Sequence, residues 1–281
     1  VSALACVNPA RADSDYDPYV CGAAVAFLTM AMVRTELLRR GYQASIPSLS
    51  GLLDFVAVAT VADCVSMRPD KSYANRAMVK RGMALINERK RPCWAVFCEQ
   101  TRDAVVTSQT IGFQLAPAVA AAGRLDWAET GFRFLTAHSV DEAEAHWQVL
   151  KQENELRKNI EKALRLKAVV EAEKITGQSI VLYFEDGHSG VHGITASRLV
   201  EKYGKPAAMF APKGAGSREE VGALCDTKNR RLASGSFRGI PGFDTRAALQ
   251  HVSDYHADLL VAFGGHHGAA GATLAVEDIG R

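Results

Sequence analysis

The sequence predicts an α/β protein of two lobes joined by a long connecting helix. Helix-like apolar segments dominate residues 1–140. Residues 132–175 contain neither glycine nor proline, and 141–176 are rich in Glu, Lys, Leu and Ala, which predicts one helix about 50 Å long. Strand-like and helix-like segments alternate in 177–281, as is typical of an α/β lobe with a mostly buried sheet. We therefore divide the chain into domains at 1–140, 141–176 and 177–281.

Three helices are predicted in the first lobe. They cover the segments "DPYVCGAAVAFLTMAMVRTELLRRGY", "SGLLDFVAVATVADCVSM" and "NRAMVKRGMALINER". The first has Pro18 near its start, basic residues in its last turn and Gly41 as its stop. The segment "RPCWAVFCEQ" is ambiguous, and the small apolar segment "IGFQLAPAVAAAGRL" is expected to break at Gly123.

The second lobe is predicted to alternate strands and helices. The strands are "QSIVLYFED", "PAAMFAPK", "EVGALCDTK" and "DLLVAFGG". The helices are "HSGVHGITASRLVEKYGK", which follows a glycine turn, and "DTRAALQHVSDYHA". The segment "SGSFRGIPGF" is predicted to be a loop.

Composition limits the function classes. Lys and Arg number 33 against 31 Asp and Glu, so the formal net charge is only +2, and a nucleic-acid site must be a local patch. The 6 cysteines form no CxxC motif, which favours reduced thiols in a cytoplasmic protein over a disulfide framework or a zinc site. We find no apolar run of membrane-spanning length and expect no membrane partner. The chain begins without methionine, and we expect it to be part of a longer protein.

Glycine-rich turns recur where strands of the second lobe end, in "EDGHSGVHG", "SGSFRGIPG" and "GGHHGAAG". Ligands of open α/β sheets bind at such strand ends. These turns offer His188, Ser236, Arg238 and His266 beside unshielded backbone N–H groups, a combination that suits phosphate. Ser236 alone could cap a turn, and Arg238 alone could be a solvated surface charge. Three such turns in one lobe favour a binding cleft.

Two residues of the first lobe have open alternatives. Asp63 follows the apolar run "FVAVATVA", and a carboxylate there requires a partner, which is either a divalent metal or a nearby arginine or backbone group. Arg124 in "AAGRLD" either belongs to a binding site or pairs with Asp126 at the surface.

Five segments together resemble the RecJ family of single-strand-specific 5′→3′ exonucleases, in the DHH phosphoesterase superfamily. They are "LLDFVAVATVADCVSM", "APAVAAAGRLD", "DGHSGVHGITASRLVEKYGKPAAMF", "SGSFRGIPGFD" and "GGHHGAAGATL", in the family's order and approximate spacing. The resemblance covers essentially the whole chain. It implies the remainder of a DHH domain followed by a DHHA1-type substrate-binding lobe, and a role in DNA recombination and repair.

The resemblance also implies roles for individual residues. Asp63 matches a metal-ligand aspartate of the catalytic centre, and His266 matches a histidine beside the scissile region. Arg124, Ser236 and Arg238 match the pocket for the 5′ phosphate of single-stranded DNA. Further nucleic-acid contacts are expected at His188, Arg198, Gly264 and Gly265, whereas His267 falls at a variable position. The implied cofactor is Mn²⁺ or Mg²⁺, and a single-strand-binding protein or a helicase is a candidate partner.

The chain departs from the family pattern at its metal centre. Asp63 is the only ligand of the family set that is present, and the other ligand motifs belong upstream of this chain. Two interpretations stay open: a part of a longer nuclease, or a chain without catalysis. We expect this chain to lack the family's C-terminal oligonucleotide-binding barrel. The segment "FQLAPAVAAAGRL" lacks an arginine and an asparagine that the family usually has just before the pocket arginine.

Two alternative functions follow from these departures. One is an oligonucleotide or cyclic-dinucleotide phosphodiesterase of the same superfamily, although a "GGGH" turn is more typical there. The other is a catalytically inactive DNA-binding or scaffold relative.

Overall fold

The protein forms two compact units. A computed structural model describes residues 5–42, 46–68, 73–101, 103–125, 128–216 and 224–280. Unit 1 comprises Val1–Val119 and Thr130–Val149, and unit 2 comprises Ala120–Glu129 and Leu150–Arg281. The predicted α/β class with a long linking helix is confirmed. The predicted domain boundaries stay a prediction.

Unit 1 is helical. Its elements include α1 (Gly22–Arg39), α2 (Leu53–Ala62), α3 (Tyr73–Asn87), α4 (Pro92–Gln100), α5 (Ser108–Thr110) and α7 (Glu129–Thr136). A π-helical turn (Ile111–Leu115) leads into α6 (Ala116–Leu125), which continues into unit 2. The three helices predicted for the first lobe are therefore confirmed as α1 to α3.

Aromatic side chains form the centre of unit 1. Trp94, Phe97 and Phe134 are fully buried. The ring of Trp147 meets Phe97 edge-on with centroids 5.4 Å apart and lies 5.1 Å from the ring of Phe134. Rings at these separations add to the burial of apolar area.

Two features of the first lobe differ from the sequence-based expectation. The ambiguous "RPCWAVFCEQ" segment is α4, with Pro92 at its first position, where its missing N–H costs nothing. The expected break at Gly123 is wrong, because α6 runs on to Leu125. The fully buried Ala121 and Ala122 hold the helix in place. Their packing outweighs the cost of about 1 kcal/mol for a helical glycine.

The predicted connecting helix is α8 (Val140–Ala172), 33 residues long, which passes from unit 1 into unit 2. At 1.5 Å per residue it is about 50 Å long. Within unit 2 its buried positions recur at helical spacing, at Leu150, Asn154, Leu164, Ala168 and Ala172. Asn154 is the one polar member of that series.

Unit 2 is built on a five-stranded sheet in the order β1-β2-β3-β5-β4. The strands are β1 (Ile180–Tyr183), β2 (Ala207–Pro212), β3 (Leu232–Arg238), β4 (Leu260–His266) and β5 (Ala269–Ala275). β1 and β2 are parallel, whereas the other neighbours are antiparallel. The helices are α9 (Ser189–Tyr203) and α10 (Thr245–Tyr255).

The two faces of this sheet have separate cores. Met209 packs with residues of α8 and α9 on one face, which we call the α9 face. Phe210, next along β2, belongs to a cluster on the opposite face, and Phe237 meets its ring edge-on at 5.4 Å. Leu249 of α10 packs with Phe237 on that opposite face. Alternation along the strands thus sends Ser236 and Arg238 to the α9 face.

Three expectations for the second lobe are corrected. The segment "SGSFRGIPGF" is not a loop, because its first five residues end β3. Of the predicted strand "EVGALCDTK", residues 220–223 lie outside the described residues, and 224–228 form a turn in which Cys225 makes an isolated bridge to Arg231. Gly264 and Gly265 of "GGHHGAAG" lie within β4 and Gly271 lies within β5, which was not predicted as a strand, and the turn itself is only His267–Gly268.

Within the described ranges, none of the helices combines the length and apolarity needed to cross a bilayer. The 6 cysteines are free thiols: Cys6, Cys21, Cys64, Cys93, Cys98 and Cys225.

Candidate anion-binding site

Ser236 and Arg238 lie where three strands run side by side. Ser236 is paired with Met209 on β2 and with Gly271 on β5, and Gly271 is paired with Gly264 on β4. Paired residues share a face of the sheet. On β3, β5 and β4 this row therefore carries no side chain larger than serine, whereas on β2 it carries Met209. We call Ser236, Gly271 and Gly264 the glycine row.

The next row on the same face carries charge. Arg238 is paired with Ala269, and Ala269 is paired with His266. Two strand spacings of about 4.8 Å put the backbones of Arg238 and His266 about 10 Å apart. The small Ala269 leaves the space between these two polar side chains open.

The guanidinium of Arg238 packs against α9 at Gly193. A Cβ on Gly193 would overlap the guanidinium and lie 3.1 Å from its Cζ. Arg238 Nη1 donates to the Phe237 carbonyl at 2.8 Å, which fixes the orientation of the side chain. Burial, and secondarily the charge of Arg124, lower the pKa of Arg238 below its usual value. The side chain remains charged at any physiological pH.

Arg124 reaches the same helix from the end of α6. Its Nη1 donates to the Gly190 carbonyl at 3.1 Å. A Cβ on Gly190 would overlap the Arg124 carbonyl group, so the close approach requires glycine. Because Gly190 and Gly193 are three residues apart, they lie on one face of α9 and bring Arg124 and Arg238 together. We call Arg124 and Arg238 the arginine pair.

The arginine pair has no described carboxylate partner. Each guanidinium donates to a backbone carbonyl only. Asp126, the alternative partner of Arg124, lies outside the described residues. Two like charges held near each other by neutral groups favour a bound anion.

His188 caps the N-terminus of α9. Its Nδ1 accepts a hydrogen bond from the Gly190 N–H at 3.2 Å. Its ring lies against Gly216, where a side chain would overlap it and where φ is +76°. Burial lowers the pKa of His188 below its usual value. The neutral ring with Nδ1 as acceptor carries its proton on Nε2, which leaves an N–H for a ligand.

The β4–β5 hairpin positions His266. Its Nδ1 accepts from the Gly268 N–H at 3.2 Å, and its side chain is exposed. The preceding Gly265 has φ +147°, and a Cβ there would lie 2.5 Å from the Ala269 carbonyl oxygen. Only glycine suits that position.

The hairpin turn is anchored to its neighbours by backbone bonds. The His267 carbonyl accepts from Thr245 N at 2.8 Å, and the Gly268 carbonyl accepts from Gly239 N at 3.1 Å. The turn is therefore fixed beside the end of β3, next to Arg238. His267 contributes its backbone, while its exposed ring lies 6.1 Å from that of His266.

Two predicted site residues lie elsewhere. Arg198 is ten residues beyond His188 along α9, about 15 Å, and its Nη1 pairs with Glu201 at 2.8 Å. Asp63 lies in unit 1 at the C-terminal end of α2, exposed, with its N–H bonded to the Ala59 carbonyl. In the described part of the chain no group of three or more His, Cys, Asp or Glu side chains could hold a metal ion.

Sequence reasoning missed three polar residues of unit 2. Asn154 and Arg157 are bonded to each other in α8, where nothing in the Glu- and Lys-rich pattern singles them out. His192 is buried in α9, and neither ring nitrogen has a hydrogen-bond partner among the described residues. Its place in a helix beside a glycine turn gave no sign of that burial.

Comparison with known proteins identifies the class. Residues 176–281 match the DHHA1 domain. The single-stranded-DNA-specific exonuclease RecJ of Escherichia coli (strain K12) is 33% identical over 287 residues, which are 97% of this chain and 46% of that protein. The protein of the same name from Bacillus subtilis (strain 168) is 30% identical over 232 residues, 81% of this chain and 27% of that protein.

A solved structure agrees. RecJ from Thermus thermophilus in complex with Mn²⁺ superposes with a TM-score of 0.73 at 28% identity, covering 92% of this chain and 34% of that one. The chain is thus a DHHA1-containing member of the DHH superfamily. Within that superfamily it is of the RecJ type, and it spans about half the length of the Escherichia coli relative.

Proposed function

We propose that this chain is part of a single-stranded-DNA-specific 5′→3′ exonuclease and that unit 2 binds the 5′-phosphorylated end of the strand. The observation that carries the proposal is the arginine pair, which lies beside the glycine row without a described carboxylate partner. A terminal phosphate carries nearly two negative charges and three acceptor oxygens, which suits two guanidiniums and a serine hydroxyl.

Each residue then has a role set by its place on the sheet. Arg124 and Arg238 neutralise the terminal phosphate, and Ser236 donates to one of its oxygens. Gly264 and Gly265 let the sugar-phosphate backbone of the DNA come close to the sheet, since Gly264 has open space where a side chain would be. His266, about 10 Å from Arg238, contacts a following phosphodiester. His188 offers its Nε2–H, and Arg198 remains a proposed contact farther along α9.

The implied metal is Mn²⁺ or Mg²⁺, which the Thermus thermophilus RecJ structures contain. The described residues do not fit such a centre by themselves. Among the described residues Asp63 belongs to no group of three or more potential ligand side chains. Either ion requires about six oxygen ligands, and a two-metal site takes several carboxylates from the protein. We therefore expect this chain alone to leave DNA intact.

The remaining expectations rest on the relationship to RecJ. We propose action in DNA recombination and repair, with a single-strand-binding protein or a helicase as partner. The free thiols agree with a cytoplasmic setting. The division into 1–140, 141–176 and 177–281 is proposed as the domain organisation.

A catalytically inactive DNA-binding relative is the second candidate. It is favoured because the described residues offer Asp63 no cluster of three or more potential metal ligands. Release of mononucleotides by a longer form of the protein that carries the upstream motifs would decide for the nuclease.

The test of the proposed site is a titration of two single strands that differ only in a 5′ phosphate or a 5′ hydroxyl. Arg238→Ala should weaken binding of the phosphorylated strand by about 10- to 100-fold, the value of one charge-assisted contact. Binding of the hydroxyl strand should change much less. Salt is held constant because backbone contacts depend on it.

Arg231→Ala is the matched control. Arg231 precedes the same strand at its other end, is exposed and is paired with Glu185. Its loss should leave the preference for the 5′ phosphate unchanged. If Arg238→Ala weakens binding of the two strands equally, Arg238 is part of a general basic surface that contacts the DNA backbone. If it weakens binding of neither strand, the proposed site is refuted.

A further inference from the structure

Residues 68–91 of unit 1 hold an excess of positive charge. They contain eight Lys or Arg and two Asp or Glu, which gives this segment a formal charge of +6, whereas the whole chain carries only +2. The remainder of the chain is therefore acidic on balance. Because opposite charges attract over the width of the surrounding salt solution, a polyanion is drawn to this segment.

Three of these cations lie on the outer face of α3. Over its 15 residues the helix contains no Asp or Glu. Its inner face is fixed by packing, since a Cβ on Gly82 would overlap the Leu53 carbonyl oxygen at the start of α2. The buried residues of that inner face are Asn75, Met78, Gly82 and Ile86. The other face is exposed and carries Arg76, Lys80 and Arg81.

The three cations line one groove together with a tyrosine. The groove has a volume of about 600 Å³ and is lined by Tyr73, Arg76, Ala77, Lys80, Arg81 and Ala84. We call these six residues the α3 groove. They recur every three or four residues, as one stripe of a helix does, and the stripe is about 16 Å long. The two alanines leave room between the longer basic side chains.

The cations of the α3 groove are only partly compensated. Lys80 is exposed, and the described part of the chain offers it no hydrogen bond or ion pair. Arg76 Nη1 donates to a backbone carbonyl at 3.3 Å, which orients the guanidinium and leaves its charge. Arg81 Nη1 lies 3.8 Å from one oxygen of Glu88, whose other oxygen pairs with Lys90 at 2.9 Å. One carboxylate thus serves two cations.

Tyr73 stands at the start of the stripe and is 77% exposed. Proteins bind single-stranded nucleic acid with such an arrangement, in which bases stack on aromatic rings and phosphates follow a basic groove. A protein partner would instead require apolar anchors that become buried. Apart from the tyrosine ring, the only apolar side chains of the α3 groove are two alanines.

We propose that the α3 groove is a second binding surface for single-stranded DNA. Arg76, Lys80 and Arg81 hold phosphates of the strand, and a base stacks on the ring of Tyr73. The surface recognises neither an end nor a sequence, since it contacts phosphates and the face of any base. This inference goes beyond the proposed recognition of a 5′ end and does not depend on the arginine pair.

The test titrates the full chain with a single strand that has a 5′ hydroxyl, at several salt concentrations. Lys80→Gln and Arg81→Gln should each make the slope of log K against log salt less steep by about 0.7, the value of one phosphate contact in a single strand. At about 0.1 M salt this corresponds to binding about 5-fold weaker for each variant. The double variant should bind about 25-fold more weakly, because the two contacts are separate.

A double variant with Arg39→Gln and Arg40→Gln is the matched control. It removes two adjacent, exposed positive charges from the same unit, at the end of α1, where both guanidiniums pair with Glu36. Its affinity should stay within about twofold of wild type. A loss as large as that of the Lys80 and Arg81 double variant would mean that net charge attracts the strand, and it would overturn the proposal.

Tyr73→Ala separates stacking from charge. It should weaken binding by about 5- to 10-fold and leave the salt slope unchanged, because a stacked base releases no counterion. Tyr73→Phe keeps a ring and should bind as the wild type does. Wild-type affinity in Tyr73→Ala would refute the stacking contact. Thermal midpoints of all variants identify any that fail to fold, although each substituted side chain is exposed.

Two results would refute the α3 groove as a DNA-binding surface. The first is a Lys80 and Arg81 double variant that keeps the wild-type affinity and slope, which would make the groove a solvated surface. The second is a poly-glutamate peptide that displaces the strand as well as unlabelled DNA of equal charge does. The surface would then bind acidic polypeptides.

The proposed function fails separately from this inference. The ratio of dissociation constants for the 5′-hydroxyl and 5′-phosphate strands depends on the arginine pair, so the Lys80 and Arg81 double variant should weaken both strands and keep that ratio. A wild-type chain that does not distinguish the two strands refutes the recognition of a 5′ end. A wild-type chain that does not bind the 5′-hydroxyl strand at low salt refutes the α3 groove.

Discussion

The arginine beside Asp54 in unit 1 and the arginines of the candidate site in unit 2 have opposite environments. In unit 1 the carboxylate of Asp54 is 1% exposed, and its Oδ2 accepts from Arg91 Nε at 2.6 Å and from Trp94 Nε1 at 2.7 Å. Asp54 Oδ1 also accepts from the Phe55 N–H at 2.8 Å. This carboxylate is satisfied on both oxygens, and it fixes the start of α2 against α4.

Among the described residues of unit 2, Arg124 and Arg238 donate to backbone carbonyls, and Arg157 donates to the Asn154 amide. A compensated arginine stabilises the fold, whereas an uncompensated one repels its neighbours until an anion binds. If the proposed site is correct, the contrast teaches that the partner, more than the burial, separates a structural arginine from a binding one.

The largest expected effect is on the stability of unit 1. Asp54→Ala should lower the free energy of unfolding by about 3–5 kcal/mol, because it leaves the Arg91 Nε–H and the buried Trp94 N–H without their acceptor. Chemical denaturation measures it. Asp63→Ala is the control at the other end of α2, where the carboxylate is exposed, and it should change stability by less than about 0.5 kcal/mol. Equal effects would mean that the Asp54 contacts are not structural.

Two glycines sharpen the comparison further. A Cβ on Gly82 in α3 would overlap the Leu53 carbonyl oxygen and lie 2.5 Å from Ala57 Cβ, so α2 and α3 would have to separate. Gly82→Ala should therefore cost about 1–3 kcal/mol of stability. Gly193→Ala instead meets only the movable end of Arg238. It should leave stability unchanged or raised, while weakening binding of a 5′-phosphorylated strand about 10-fold.

The same two measurements, denaturation and titration, are made on both glycine variants. Loss of binding without loss of stability in Gly193→Ala, and loss of stability in Gly82→Ala, would support the contrast. A Gly193→Ala protein that binds normally would show that the position of the Arg238 guanidinium is unimportant.

The sequence predicted the long helix and most elements of the second lobe because their periodicity and turn residues are local. It did not predict β3 as a strand, since "SGSFRGIPG" has the glycines of a loop. Gly235 is required there because a side chain would overlap the ring of Phe210 on β2, a contact that only the assembled sheet creates. Tertiary pairing overrode local propensity.

The candidate site was predictable in part for a similar reason. Ser236, Arg238 and His266 stand out as polar residues among glycines. Asn154 and Arg157 do not, because their i,i+3 spacing is one of many polar pairs along α8. What distinguishes them is the burial of the Asn154 amide, which is a property of the folded unit.

The smallest expected effect concerns His192 in α9, whose pKa is lowered to about 4, first by burial and then by the charge of His188. The Met209 carbonyl acts in the opposite direction but does not reach hydrogen-bonding geometry. The folded state therefore holds the ring neutral, whereas in the unfolded chain the ring takes up a proton near pH 6.5. The stability associated with the neutral ring is present above pH 6.5 and is lost as the pH falls toward 4.

Replacing the ring should remove this pH dependence. Between pH 7 and pH 5, protonation of unfolded His192 costs about 2 kcal/mol of stability, from the difference between the two pKa values. We expect His192→Leu, of similar volume, to lose about 2 kcal/mol less than wild type over that interval, measured by urea denaturation at each pH. For each protein the free energy of unfolding at pH 5 is subtracted from that at pH 7. A change in packing contributes equally at both pH values and therefore cancels in this difference. His256→Gln, at an exposed position, should follow the wild-type pH dependence. If His192→Leu also follows the wild-type pH dependence, the His192 ring is charged or solvated in the folded protein. The description of a buried, neutral histidine in α9 would then be wrong.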